Sequence, residues 1–226
     1  MHDLLPEFLK LAEAEDRQGC VEWALSRLDS GAVDIVTLYE QILAPSLNEM
    51  KCKDAEAAVC VWKEHVRSSI IRTVIECCYP HVMKERAARS KTGKDANAAG
   101  QSGTGPKVVV VCPSGELHEI GARMVADLFT LCGCSSIFVG ANTPLEDFLA
   151  AVEHIKPRYV CVSVTNYFNL VAARNVVSRI RAIAGKDVTI LAGGQAFRNN
   201  PATAKDMGAD MLVGGFEDMA RVVGCR

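Results

Sequence analysis

The sequence predicts an all-helical, four-helix bundle followed by an α/β domain built on a five-stranded parallel sheet. Three observations predict it. Up to about residue 88 the apolar residues recur at three- and four-residue spacing, the period of a helix with one buried face. From Val108 onward they fall in short β-branched runs that alternate with amphipathic segments. Between the two halves, residues 90–106 contain no bulky apolar side chain and cannot offset the entropy of ordering by burial. The expected organisation is a helical domain over 1–89, a flexible linker over 90–106 and an α/β domain over 107–226.

The helical half resolves into four segments. Leu4, Phe8, Leu11 and Ala12 mark the first. Val21, Ala24, Leu25 and Leu28 mark the second, which Gly31 should stop. Val36, Tyr39, Ile42, Leu43 and Leu47 form the third, with Pro45 expected to kink it. The fourth is expected over about 55–88, with Val59, Trp62, Val66, Ile70, Val74 and Cys77 on its apolar side. Short turns between such segments suit a small bundle.

In the second half, residues 108–112 read Val-Val-Val-Val-Cys, the pattern of a strand covered on both faces. A helix with Ile120, Met124, Val125, Leu128 and Phe129 on one side follows, ended by Gly133. Residues 136–139 are the second strand, and Thr143-Pro144-Leu145-Glu146 reads as a capping box with proline at the first helical position. That helix should end near Pro157. Strand 159–164, helix 170–183, strand 188–191 and strand 211–213 complete the series. Regular alternation of this kind predicts a flavodoxin-like, Rossmann-like sheet, which binds ligands beyond the carboxyl ends of its strands.

Composition narrows the function. Lys plus Arg number 25 and Asp plus Glu 27, for a net charge of -2. That balance argues against a nucleic-acid partner, whose binding rests on a basic face. No apolar run approaches the roughly 20 residues needed to span a bilayer, and the first residues lack the features of a secretory signal, so no membrane partner is expected. The ten cysteines show no C-x2-C pairs, and with no export signal they read as reduced packing residues of a cytoplasmic protein. His2, His81 and His154 have no supporting constellation.

The strand ends hold the chemistry. After the first strand comes Ser114-Gly115-Glu116-Leu117-His118-Glu119-Ile120-Gly121, a histidine flanked by carboxylates and without the glycine-rich pattern of a phosphate loop. The third strand ends in Ser163-Val164-Thr165, the fourth in Gly193-Gly194 and the fifth in Gly214-Gly215. Small residues at neighbouring strand ends leave room for a ligand against the backbone.

Glu116-x-His118-x-x-Gly121, Ser163-x-Thr165 and Gly193-Gly194 together resemble the three-part signature of cobalamin-binding domains, whose usual form is D-x-H-x-x-G, S-x-L and G-G. That family includes cobalamin-dependent methionine synthase, corrinoid proteins of methyltransferase systems and light-sensing cobalamin repressors, and its members carry a four-helix cap ahead of the Rossmann-like domain. The resemblance implies that His118 is the lower axial ligand of cobalt, replacing the cofactor's own base, and that Glu116 accepts a hydrogen bond from the other ring nitrogen. It implies that Gly115, Leu117, Glu119 and Ile120 belong to the cofactor-binding loop, that Gly121 lets the first helix approach closely, and that Ser163, Thr165, Gly193, Gly194 and Gly214 lie along the slot for the nucleotide tail. Two positions depart from the usual form: Glu116 replaces Asp and Thr165 replaces Leu.

In the cap, Glu64-His65 resembles the Glu-His pair that faces the upper side of the corrin in the light-sensing repressors. The Trp found ten residues before that pair is here Asp54. The expected function is a corrinoid methyl carrier, holding cobalamin as methylcobalamin or with another upper ligand, and served by methyltransferase proteins that donate and accept the methyl group. The alternative is a cobalamin-binding sensor without a DNA-binding domain. No catalytic acid–base pair or nucleophile is recognisable, which suits a carrier subunit better than a complete enzyme.

Overall fold

A computed structural model describes residues 4–48, 58–91, 105–198 and 200–225. The chain divides into two compact units, Met1–Glu85 and Arg86–Arg226.

The N-terminal unit is helical. Its elements are α1 (Leu4–Glu13), α2 (Arg17–Asp29), α3 (Ile35–Thr37), α4 (Ala44–Asn48) and α5 (Cys60–Lys91), the last running on into the second unit. Asp16 caps α2 by accepting from the Gly19 amide at 2.8 Å, and Gly31, at φ +72°, takes the left-handed conformation that stops it. A π-helical stretch, Leu38–Leu43, joins α3 to α4 ahead of Pro45. The expected kink takes this form: the Ala44 amide reaches back five residues to the Tyr39 carbonyl, which widens the turn before the proline ring. Phe8, Ile35, Leu38, Tyr39, Ile71 and Ile75 are fully buried, and Phe8 meets Trp23 edge-on at 5.6 Å.

The fourth segment corrects one expectation. The expected apolar stripe includes Val59, Trp62 and Cys77, but Val59 and Trp62 are 44% and 55% exposed, Cys77 is exposed beside the buried Cys78, and the buried positions of α5 begin only at Arg67. Periodicity shows which side of a helix is apolar, but not where along its length a neighbour arrives to cover it. Pro80 lies inside α5, whose end at Lys91 falls within the expected linker; residues 92–104 of that linker, and Asp54, lie outside the described residues.

The second unit is a doubly wound sheet. Strands β1 (Lys107–Val111), β2 (Ser135–Gly140), β3 (Tyr159–Ser163), β4 (Thr189–Gly193) and β5 (Met211–Leu212) are all parallel, in the order β2-β1-β3-β4-β5. Helices α6 (Ile120–Leu131), α7 (Leu145–Ile155), α8 (Leu170–Ala184), α9 (Ala202–Asp206) and α10 (Phe216–Val223) connect or follow them. Val109, Val111, Val160, Val162, Ile190 and Ala192 form one face of the sheet and share a core with Phe148, Val152, Val176 and Ile180 of α7 and α8. The opposite face carries α6 against β1 and β2. The sequence patterns locate all five strands and α6, α7 and α8; α9 and α10 are too short for their period to stand out.

The expected capping box at 143–146 does not form. Pro144 occupies the cap position of α7 itself, and the Thr143 hydroxyl donates to the Gly140 carbonyl at 3.4 Å. Of the described cysteines, Cys20, Cys77, Cys78, Cys112, Cys132, Cys134, Cys161 and Cys225 are thiols, whereas Cys60 is disulfide-bonded, against the expectation of reduced cysteines. Burial lifts the Cys161 thiol to about 12, and burial together with the Glu116 and Glu119 carboxylates lifts Cys112 to about 12, so both are packing residues. No helix among the described residues is long and apolar enough to cross a membrane.

Candidate functional site

Because the strands are parallel, their carboxyl ends share one edge of the sheet. β1 and β3 are neighbours whose chain continues to opposite faces, the point beyond which sheets of this kind bind ligands. The loop after β1 carries Glu116 and His118; the loop after β3 carries Thr165, Asn166 and Asn169.

Glu116 joins these two loops. Its side chain is wholly buried, and its carboxylate is bonded on both oxygens. Oε1 accepts from the His118 backbone amide at 2.9 Å and lies 2.6 Å from His118 Nδ1. Oε2 accepts from the Thr165 amide at 3.0 Å, the Asn166 amide at 2.8 Å and Asn169 Nδ2 at 3.0 Å. Burial is the largest single influence on its proton affinity and acts to raise it, but the bonds from Asn169, Asn166 and His118 together outweigh burial and hold the carboxyl below its ordinary range. An ionised carboxylate only accepts, so His118 keeps its proton on Nδ1. The Nε2 lone pair is left as the free coordinating position of a half-exposed imidazole.

Asparagines at the neighbouring strand ends hold the loop. Asn142, beyond β2, accepts from the Gly115 amide at 2.9 Å through Oδ1 and donates its own amide to the Glu116 carbonyl at 3.0 Å. It does so at φ +50°, a conformation asparagine tolerates better than most residues. Asn169 Nδ2 reaches the Gly115 carbonyl at 3.3 Å as well as Glu116. Gly115 itself sits at φ +84°, and a Cβ there would lie 3.2 Å from Asn169 Oδ1. Sequence reasoning missed Asn142, Asn166 and Asn169. The available signal was an asparagine within a few residues of the β2 and β3 ends, where side-chain bonds to backbone are common.

The other expected residues fall as follows. Glu119 Oε2 accepts from the Ala141 amide at 2.9 Å, which ties the loop to the end of β2. Leu117 is 70% exposed and Ile120 is buried at the start of α6. Ser163 is buried at the end of β3, in register with Gly193. Thr165 reaches Glu116 through its backbone amide. A Cβ on Gly193 would stand 3.1 Å from the Val213 carbonyl oxygen, and one on Gly194, at φ +107°, would run into the backbone of Val164. Close approach of the chain just past β3 therefore demands glycine at 194 by itself, while Gly193 is crowded from the β5 side, by Val213. Gly214 donates its amide to Asp218 at 2.9 Å. Glu64 and His65 are exposed on α5, in the N-terminal unit.

Gly121, exposed in the first turn of α6 and three residues after His118, has open space around it: a Cβ there would meet no atom within 4 Å. An imidazole held at Nδ1 by a buried carboxylate, with Nε2 as the remaining ring nitrogen, is a donor arrangement suited to a corrinoid cobalt. Among the described residues no group of three or more His, Cys, Asp or Glu could hold a metal ion.

Comparison with known proteins places the fold. The chain is similar in fold to the monomethylamine corrinoid protein of Methanosarcina barkeri, with a TM-score of 0.73 and 15% identity over 96% of this chain and 94% of that one. It is also similar to a chain of the methanol:cobalamin methyltransferase complex MtaBC of the same organism, with a TM-score of 0.50 and 18% identity over 99% of this chain and 79% of that one. At such identities the likeness shows the fold alone. No curated protein matches. The family model of the B12 binding domain matches residues 106–223, more than half of the chain and the whole of the sheet with its His118 loop, and the chain therefore belongs to the B12 binding domain family.

Proposed function

We propose that this protein holds cobalamin with His118 as the lower axial ligand and serves as the corrinoid methyl carrier of a methyltransferase system. The observation that carries the reading is the 2.6 Å contact between Glu116 Oε1 and His118 Nδ1, which leaves Nε2 as the coordinating nitrogen. The fold shared with a corrinoid protein supports it. So does Gly121, where no packing contact calls for glycine.

Bound cobalamin supplies the methyl-transfer chemistry; the chain supplies orientation and access. His118 holds the metal from the sheet side. Glu116 keeps the proton on Nδ1 and so keeps Nε2 available. Gly115, Leu117, Glu119 and Ile120 complete the loop that carries the ligand, and Gly121 leaves open space in the first turn of α6. Ser163, Thr165, Gly193, Gly194 and Gly214 line the route of the nucleotide tail along the ends of β3, β4 and β5. Glu64 and His65 are the residues of the helical unit assigned to the upper face. Methyltransferase proteins are the partners, as donor and acceptor of the methyl group.

The test has two stages. The purified protein is incubated with hydroxocobalamin, desalted and examined by absorption; retained colour with a histidine-ligated spectrum is expected, and a colourless protein would refute the cofactor assignment. The loaded, reduced protein is then given an isotopically labelled methyl donor with candidate methyltransferases. Label that moves onto the protein and on to an acceptor supports the carrier role. Label that never moves, in a protein whose oligomeric state changes on illumination with an adenosyl upper ligand, supports the sensor alternative.

A further inference from the structure

We propose that Asn169 is the positioning residue of the axial histidine, a role that rests on the cofactor assignment to His118. The argument begins with the freedom of a glutamate. Its terminal torsion is broad and roughly two-fold, so the carboxylate plane is set by what bonds to its oxygens. In Glu116 the work is divided: Oε1 takes both bonds to His118, and Oε2 takes three bonds to the segment after β3. Two of those three donors are backbone amides, of Thr165 and Asn166, fixed by the course of the chain. The third, Asn169 Nδ2, is the one side-chain donor to Oε2.

Asn169 is shaped for this place. Its amide nitrogen faces two acceptors, Glu116 Oε2 at 3.0 Å and the Gly115 carbonyl at 3.3 Å, so only the NH2 end fits there. It therefore grips the histidine loop twice, once through the carboxylate and once through the backbone one residue earlier. Gly115 lies against the same side chain, with space for no Cβ without crowding Asn169 Oδ1. Although Asn169 stands at the cap position of α8, its side chain makes no capping bond; in the preceding turn it is Asn166 that accepts from the Phe168 amide at 3.0 Å. Removing the Asn169 amide thus costs the helix no cap.

Glutamate at 116 makes this geometry possible. The extra methylene lets one carboxylate bridge the β1 and β3 loops, and Asn169 closes the bridge. Asn142 is the natural comparison: it clamps the same loop from the β2 side but touches only the backbone of Gly115 and Glu116. Asn169 should therefore govern the imidazole, and Asn142 only the loop.

The experiment compares Asn169→Leu, Asn169→Asp and Asn142→Ala with wild type. The first readout is made on the cofactor-free protein: the nitrogen chemical shifts of the His118 ring, which report its tautomer. Wild type and Asn142→Ala should show the proton on Nδ1, whereas both Asn169 variants should show a mixture with the Nε2-protonated form. The second is titration with hydroxocobalamin, where Asn169→Leu should bind about tenfold more weakly and retain a smaller histidine-ligated fraction. Ring shifts in both Asn169 variants identical to wild type would overturn the proposal. If wild type takes up no corrinoid, the cofactor assignment falls, while the ring shifts still judge whether Asn169 sets the imidazole.

Discussion

Glu116 Oε1 lies 2.6 Å from Nδ1 of His118, and the same oxygen accepts the His118 backbone amide at 2.9 Å. One carboxylate oxygen thus fixes both the ring and the main chain of the residue that carries it. The pair is asymmetric, with the glutamate side chain wholly buried and the histidine side chain half exposed. Burial orders the carboxylate, and exposure leaves the remaining ring nitrogen accessible.

His118→Ala should remove the axial ligand and leave the fold intact, since the imidazole is half exposed and packs into no core. The loaded variant should lose the nitrogen hyperfine coupling that a histidine-ligated Co(II) centre shows in electron paramagnetic resonance. A coupling indistinguishable from wild type would place the ligand elsewhere.

Glu116 should make stability depend on acid. Its folded proton affinity is held below the ordinary range, so the unfolded chain takes up this proton first as pH falls. The stabilisation is fully present above the unfolded carboxyl value of about 4.3 and is lost as pH falls through the lower folded value. Urea midpoints measured from about pH 6 to about pH 3 should fall more steeply for wild type than for Glu116→Gln. At neutral pH Glu116→Gln should be less stable by about 1–3 kcal/mol, because its amide turns donors toward donors. Parallel pH profiles in the two proteins would contradict this account.

Two glycines should respond in opposite directions. Gly194→Ala forces a Cβ into the Val164 backbone at φ +107° and should destabilise the protein by about 2 kcal/mol or more. Gly121→Ala meets open space inside a helix and should stabilise the cofactor-free protein by about 0.5–1 kcal/mol. The same change should weaken hydroxocobalamin binding if the cofactor occupies the open space at residue 121. Thermal melts with and without cofactor test both; unaltered affinity in Gly121→Ala would remove that residue from the site.

The buried thiols should be inert. Under native conditions iodoacetamide should modify the exposed Cys77 well before Cys112 or Cys161, whose thiols burial raises to about 12. Peptide mass spectrometry over a time course measures the order. Cys161 labelling as fast as Cys77 would mean that the sheet opens locally at β3.

By itself the sequence determined the alternation of strands and helices, the parallel sheet and the edge where its chemistry lies. These follow from local periodicity: a continuous run such as Val108 to Val111 cannot be covered except on both faces. The sequence also brought forward Glu116 and His118, because their separation is two residues and their contact is local. Tertiary structure decided everything that depends on a partner far along the chain. The grip of Asn169 on Glu116 spans 53 residues and that of Asn142 on Gly115 spans 27, so no spacing rule announces either. The reason for Gly194 is the backbone of Val164 on the adjacent strand, and the exposure of Trp62 reflects where along α5 its neighbours begin. Periodicity reports which face of an element is apolar; only the packed chain determines what meets that face, and at which end.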